Sequence, residues 1–533
     1  IGLGLVFSFK RTGRLTIQEM FLGSRTLRMV PLALSAVSSV MSSIGIIAFT
    51  AHFYAYGTHM GWTSLGVLLC IPITTDVIIP VLYRLKITSI FELRLRDDAN
   101  ILFSELFFFF LHLKHCNTDQ IFVFAFEYFC TVFQIPFLWN CLAIGLTGTF
   151  YTALGGLRGV VWTDSMQAII TLLAPTAIIV KAIYDSQTGI FKLRPLSDLE
   201  FGSFVADTSL DFTKDENIWS CLIGILPIQL YRFGMDQMVV QRYLAARTLE
   251  EAKRSARVGT ALWAIFNLVL TSLGIFLIYW FRDCDPLLLG DIKQLDQLLP
   301  FYVKKHLTQY PGFSGLFLAG VVSAATSTIS SIINSQAAVI YTDVISHHFS
   351  LSELQATRVT RVLAFATGSV MTLYSAAIPY LGSATRMLMI LNSAATGPFV
   401  GMFLMALTFP CVNSKGAGTA TLLAITFQLW LMYNKFLLDI RPPRIPVTLN
   451  NCPRNSSTSL VQSSNISFVS SAANDGFILL RLSSYWSNLF SAIITILLGL
   501  AISVLTGGLK TYPKQLHLTS DVFLRLWRSM KLI

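Results

Sequence analysis

Ala324, Ser327 and Thr328 stand at i, i+3 and i+4 in the stretch "AATSTISSIINS". On a helix that spacing puts them on one face. The face offers two hydroxyl oxygens and a small residue that leaves a backbone carbonyl approachable. Neutral oxygens suit a monovalent cation such as Na+, because a reversible site must release its ion. Carboxylates are the natural ligands of Ca2+, and this face has none. One helix cannot complete a shell, so further oxygens are expected from carbonyls freed where another helix unwinds. The segment "LSAVSSVMSSIGIIAFT", Ser-rich and interrupted at Gly45, is the candidate. Broken helices with an ion site at mid-membrane are a device of inverted-repeat transporters. Ser330, Ser331 and Ser335 are read as packing and back-bonding residues, as Ser in a membrane helix often is.

A second polar constellation lies in "LPIQLYRFGMDQMVVQRYL", where Tyr231, Arg232 and Asp236 interrupt an apolar run. Ionisable residues inside a span are costly and mark substrate or ion pathways. Neither constellation holds a catalytic nucleophile or a metal cluster, so an enzyme is not expected. The eight cysteines are scattered, with no CxxC pair. Cys284 and Cys452 fall in hydrophilic loops and are able to pair if both loops face outside.

These residues must be carried by membrane helices. Of 533 residues 54% are hydrophobic and 13% charged, with a mean hydropathy of +0.63, whereas soluble domains carry about 25% charged residues. The apolar blocks are long enough to cross a bilayer at about 20 residues each. The expected class is an all-α polytopic membrane protein. Helices are expected near 30–52, 62–83, 101–126, 137–155, 159–183 and 217–243. Others are expected near 258–281, 313–345, 361–381, 386–409, 417–437 and 486–506. With an apolar stub at 1–9, which reads as the tail of a helix begun upstream, that makes about thirteen spans.

The net charge of +11 does not point to nucleic acid, because Lys and Arg collect in short loops between apolar runs, as the positive-inside rule describes. The loops "KRTGRLTIQEMFLGSRTLR", "YRLKITSIFELRLR" and "QRYLAARTLEEAKRSAR" are therefore expected in the cytoplasm. The acidic loop 184–216 and the Ser/Asn-rich loop 438–485 are expected outside, the latter with glycosylation at Asn455 and Asn465. The tail 508–533 returns to the cytoplasm.

Taken together, "EMFLGSRTLRMVPLALS", "YTALGGLRGVVWTD", "GMDQMVVQRYLAARTLEEAKRS", "STISSIINS" and "TGPFVGMFLMALTFPCVNSKGA" occur in the order found in the sodium:solute symporter family. The chain resembles that family over most of residues 15–420, and its loops are most similar to the monocarboxylate, multivitamin and iodide branch. The resemblance implies a leucine-transporter-like fold: two inverted five-helix repeats with extra flanking helices. On that reading 1–29 ends a leading helix and forms a cytoplasmic linker. Residues 30–183 form the first repeat, 184–216 an external loop and 217–409 the second repeat. Then come an additional helix at 410–437, the external loop 438–485, a last helix at 486–507 and the tail 508–533.

The first helix of each repeat is broken in this family, which here falls on 30–52 and 217–243. The sodium site carried over by resemblance comprises the carbonyls of Ser38, Met41 and Ala324 and the hydroxyls of Ser327 and Thr328. Asp164 resembles the acidic residue on the family's sodium exit path, and Tyr231 and Arg232 fall where sugar transporters carry an inner aromatic gate. Gly45 stands where those sugar transporters have a Gln, which argues against a sugar. Segment 105–137 departs from the family's third-helix pattern. The implied activity is Na+-coupled symport of a small organic anion, monocarboxylate- or vitamin-like, across the plasma membrane. Iodide, sugar or polyol symport, and a non-transporting sensor of the same fold, are the competing readings. The implied partners are Na+, a small-molecule substrate and the lipid bilayer.

Overall fold

The structure, a computed structural model, describes residues 16–90, 136–187, 201–381, 384–438, 444–449, 452, 478–508 and 516–530. The stub at 1–9, the helix expected at 101–126, residues 105–135 of the divergent segment 105–137, Asn455 and Asn465 lie outside the described residues.

Among the described residues the regular structure is helical. A short α1 (Ile17–Leu22) precedes α2 (Met29–Val40) and α3 (Gly45–Tyr56), then α4 (His59–Leu85) and α5 (Phe137–Gln187). Then follow α6 (Ser220–Met235), α7 (Gln237–Leu244), α8 (Leu249–Phe281), α9 (Phe313–His348) and α10 (Glu353–Leu381). The series closes with α11 (Ala384–Thr408), α12 (Ser414–Leu438), α13 (Ser484–Leu505) and α14 (Asp521–Ser529). Each helix expected within the described residues is found. Five are long and apolar enough to cross a bilayer, or six if the bent pair α2–α3 counts as one.

Apolarity around the whole circumference reads differently in different helices. The most apolar window of α9 is 83% buried inside the protein, that of α13 only 33%. Hydrophobic residues on α13 therefore face outward, whereas α9 is a central post. Around such a post side chains must be small. Gly145 of α5 abuts Thr372 of α10, and Gly368 of α10 abuts Thr149 of α5; a Cβ on either glycine would overlap the opposing threonine. Each threonine returns its hydroxyl to the carbonyl four residues earlier on its own helix, so the close approach leaves no polar atom unpaired.

The helices expected separately at 137–155 and 159–183 are joined by one residue. Gly156 has φ 57° and ψ −169° and divides α5 into two arms. This backbone region is essentially closed to residues with a Cβ. A Cβ there would also meet the backbone of Met20 at 3.3 Å. The motif "YTALGGLRG" is thus a hairpin hinge between two helices.

The loops segregate to two ends. At one, Leu27 pairs with Ala246, the Tyr83 hydroxyl donates to Arg247 O, and Arg158 reaches Gly23 O and Glu19. The basic loops meet there. At the other, Thr58 N donates to Phe204 O, Ile445 N to Ala55 O and Ser483 N to Phe212 O. Cys284 and Cys452 form a disulfide at that second end. The tail docks on the basic end, α14 lying against the ends of α4 and α11.

Replacing Gly156 by Val should destabilise the fold by about 1–3 kcal/mol through backbone strain. The thermal midpoint in detergent should fall accordingly, while Gly290→Ala, whose φ is also positive but whose Cβ would meet nothing within 4 Å, should cost less.

Candidate functional site

α2 leaves helical geometry at Met41, whose ψ is 89°, and the chain resumes as a π-helical turn at Gly45. The two halves meet at 61°. Residues 41–44 are a break in the middle of buried structure, where backbone oxygens need partners that the helix no longer supplies. The central post supplies them. The Ser327 hydroxyl donates to Ser38 O at 3.0 Å, and the Thr328 hydroxyl lies 3.4 Å from Ser39 O. Both hydroxyls also reach Ala324 O, at 3.1 and 3.0 Å. The carbonyls of Ser38 and Ala324 and the hydroxyls of Ser327 and Thr328 therefore form one knot of oxygens, all on fully buried residues.

A knot of this kind fits a hard monovalent ion. Na+ has nearly the radius of Ca2+, whose oxygen distances are about 2.3–2.6 Å. Neighbouring ligands of such an ion lie slightly farther apart than these hydrogen-bonded oxygens do. Rotating two hydroxyls and widening the knot by a few tenths of an ångström converts one arrangement to the other. The Ser38 hydroxyl, buried and without a hydrogen-bond partner, is a further oxygen at the same place. Met41 sits at the break itself and lines the adjoining cavity.

One turn further along α9 is a buried ion pair. Arg242 of α7 donates through Nη2 to Asp164 Oδ2 at 2.7 Å, and both side chains are essentially unexposed. Ser35 of α2 bridges them, accepting from Arg242 Nε at 2.6 Å and donating to Asp164 Oδ2 at 2.9 Å. Ser330 reaches Asp164 Oδ1 at 3.3 Å, and Ser331 accepts from Arg242 Nη2 at 2.6 Å. Arg242 Nη1 donates to Met238 O of its own helix. Ser331 also touches the Ser39 hydroxyl at 2.8 Å and donates to Ser327 O at 2.6 Å. Ser327 thus presents its hydroxyl to the oxygen knot and its carbonyl to the ion-pair network.

Beside the knot lies a cavity of about 310 Å3. Its walls are largely apolar, with Phe49, Met60, Trp263, Phe266 and Ile332 prominent. Met41 and Thr328 are shared between the cavity and the break. Arg232 is the cationic side chain in the lining, 32% exposed, with Asp236 3.9 Å away. Asp236 occupies the second break, between α6 and α7, where its carboxylate accepts from Met238 N at 3.1 Å and caps α7. Gly45 and Tyr231 also line the cavity, the Tyr231 ring packing edge-on to Phe399.

Most of the residues singled out in the sequence come together here, and three readings change. Arg242, assigned to a basic cytoplasmic loop, is buried in α7. A positive charge just beyond an apolar run looks like a loop charge until its carboxylate partner, 78 residues away, is known. Ser330 and Ser331, read as packing residues, join the Asp164 network as well as back-bonding to Ser327 O; Ser335 only back-bonds, to Ile332 O. Asn267 was overlooked. Its Nδ2 holds Thr63, Ser64 and Met60 O of α4, and the residue lines the cavity. A lone amide in the apolar "WAIFNLVL" was the available signal.

The sequence model of the sodium:solute symporter family matches residues 20–424. Sodium-coupled monocarboxylate transporter 1 of Xenopus laevis is 29% identical, the match covering 98% of this chain and 86% of that protein. The sodium/iodide cotransporter of Homo sapiens is also 29% identical, over 81% of this chain and 67% of that one. Among solved structures, a Na+-coupled sialic acid symporter in a substrate-bound outward-open state is similar in fold, with a TM-score of 0.71, 21% identity and 94% of each chain covered.

Asp164→Asn or Arg242→Met alone leaves one buried group unpaired, a loss of about 3–5 kcal/mol. The double variant should be less destabilised than the sum of the two, a coupling readable by thermal unfolding of the four proteins in a double-mutant cycle.

Proposed function

The chain belongs to the sodium:solute symporter family, and on that premise we propose that it moves a small organic anion together with Na+ by alternating access. The observation that carries this reading is that Thr328 belongs to both the oxygen knot and the cavity wall, with Met41 of the adjoining break lining the same cavity. An ion drawing the Ser38, Met41 and Ala324 carbonyls and the Ser327 and Thr328 hydroxyls around itself fixes the angle between α2 and α3. That angle shapes one wall of the cavity, so ion occupancy and substrate affinity are linked.

Na+ binds first and favours the outward-facing state, substrate follows, and the α2–α3 and α6–α7 pairs rock with α4 and α8 against the rest. Asp164 stands one helical turn beyond the knot, toward the basic end, as the first carboxylate a released Na+ would meet. Tyr231 gates the cavity. The two broken helices open two inverted five-helix repeats, and about thirteen spans cross the plasma membrane. Asn455 and Asn465 carry glycans on the outer side, which the Cys284–Cys452 disulfide also faces.

The anionic substrate rests on charge and size. Arg232 is a cation at the wall of a mostly apolar cavity, and its neighbour Asp236 is partly committed to capping α7. A monocarboxylate satisfies both features, its carboxylate at Arg232 and its apolar portion against Phe266 and Met60. A polyol would strand hydroxyls against these walls. Gly45, in place of the Gln of sugar transporters, withholds a polar partner from the same space.

Thr328→Ala and Ser327→Ala should raise the Na+ concentration for half-maximal uptake roughly 5- to 10-fold each, while Ser335→Ala leaves it unchanged. Unaltered Na+ dependence in both site variants would overturn the ion assignment. Arg232→Gln should raise KM for a carboxylate substrate roughly 10- to 100-fold with the Na+ dependence retained. Radiotracer uptake over a panel of monocarboxylates, with and without Na+, reads both.

A further inference from the structure

The C-terminal helix α14, "DVFLRLWRS", has a wider apolar face than the protein covers. Phe523, Leu524 and Trp527 dock. The Trp527 Nε1 donates to Thr408 O at 2.7 Å and its ring packs on Phe409. Arg84 holds the start of the helix, pairing with Asp521 at 2.8 Å and donating to the carbonyls of His517 and Thr519. Ser520 N donates to Leu407 O. These bonds fix α14 at the ends of α4 and α11.

Val522, Leu526 and Met530, at i, i+4 and i+8, form a second apolar line beside the docked one, and they are 40%, 47% and 46% exposed. Arg525 and Arg528 are exposed on the polar side. The acid of the segment, Asp521, is already paired with Arg84, so the outward charge of α14 is positive. The sequence on either side adds Lys510, Lys514 and Lys531.

An amphipathic helix with an uncovered apolar line, flanking arginines and a position at the level where spans end has the features of a helix lying in a membrane interface. We propose that the exposed face of α14 docks on the cytoplasmic leaflet. Val522, Leu526 and Met530 enter the acyl boundary, and Arg525 and Arg528 meet anionic headgroups. The proposal rests on the reading of the basic end as cytoplasmic. Its occupant is the lipid surface itself, because the outward charge of the helix complements the negative potential of that leaflet. Through Arg84 and Thr408 the docked helix then ties the bilayer surface to α4 and α11.

The test uses the full-length chain with its free cysteines replaced by Ser, reconstituted in vesicles. Nitroxide labels are placed at Leu526→Cys and at Val522→Cys as a second position on the same line. Vesicles are phosphatidylcholine alone or with roughly a third phosphatidylserine. In the anionic vesicles the labels at 522 and 526 should favour oxygen over a water-soluble nickel reagent. Arg525→Gln with Arg528→Gln should cut the lipid-embedded population at 526 several-fold. Labels at 522 and 526 that stay open to nickel in both vesicles would overturn the proposal. Shielding of both labels from both reagents, the signature of a covering protein, would overturn it as well. The readout does not depend on uptake, so an error in the transport reading would leave this result standing.

Discussion

A backbone that stops being helical inside an apolar surrounding must find partners for its carbonyls, and the break at residues 41–44 organises this protein around that need. Ser327 and Thr328 answer it from a neighbouring helix. Their own helix lets them do so because Ala324, one turn earlier, leaves its carbonyl within their reach. The result is a junction held by hydroxyl hydrogen bonds, built from oxygens of the neutral kind that suit a small cation. An unbroken α2–α3 helix would satisfy its own carbonyls and leave nothing for an ion to draw together. The π-helical turns at Gly45–Phe49 and Tyr231–Met235, two of several in the described residues, relax the ladder beside the same cavity.

The buried Arg242–Asp164 pair extends that junction into the rest of the protein. Burying two charges is expensive unless every lone pair and proton is met. Here Ser35, Ser330, Ser331 and Met238 O complete the set, so α2, α5, α7 and α9 are held to one another by a single network. The pair has one member on a helix that begins at the second break and the other on the long arm of α5. A change in how α2 sits against α9 must therefore be felt by α7 and α5 through Ser35, Ser39 and Ser331. That is a physical route from the break to the basic end.

Much of this was legible in the residues alone. Helix positions followed from apolar block length, since crossing a bilayer demands about 20 residues whatever the neighbours. The Ala324–Ser327–Thr328 face followed from helical spacing, and Gly45 from its effect on an otherwise Ser-rich apolar run. Asp236 stood out as a charge at membrane depth. What was misread shares one property: its meaning lay in a partner distant in the chain. Arg242 looked like a loop charge and Ser331 like a packing residue, and Asn267 passed without notice in an apolar run.

The sequence by itself determined the class of the protein, the near-positions of its helices and the oxygen-rich helix faces, because these depend on local composition and on a fixed helical period. Tertiary structure alone decided which faces meet. It chose Ser38 as the carbonyl opposite Ser327 and Asp164 as the partner of Arg242. It also joined Cys284 to Cys452 across 168 residues and reduced the 155–159 connection to one glycine. Hydrogen bonds and ion pairs act over a few ångströms between groups whose separation along the chain carries no trace of their separation in space.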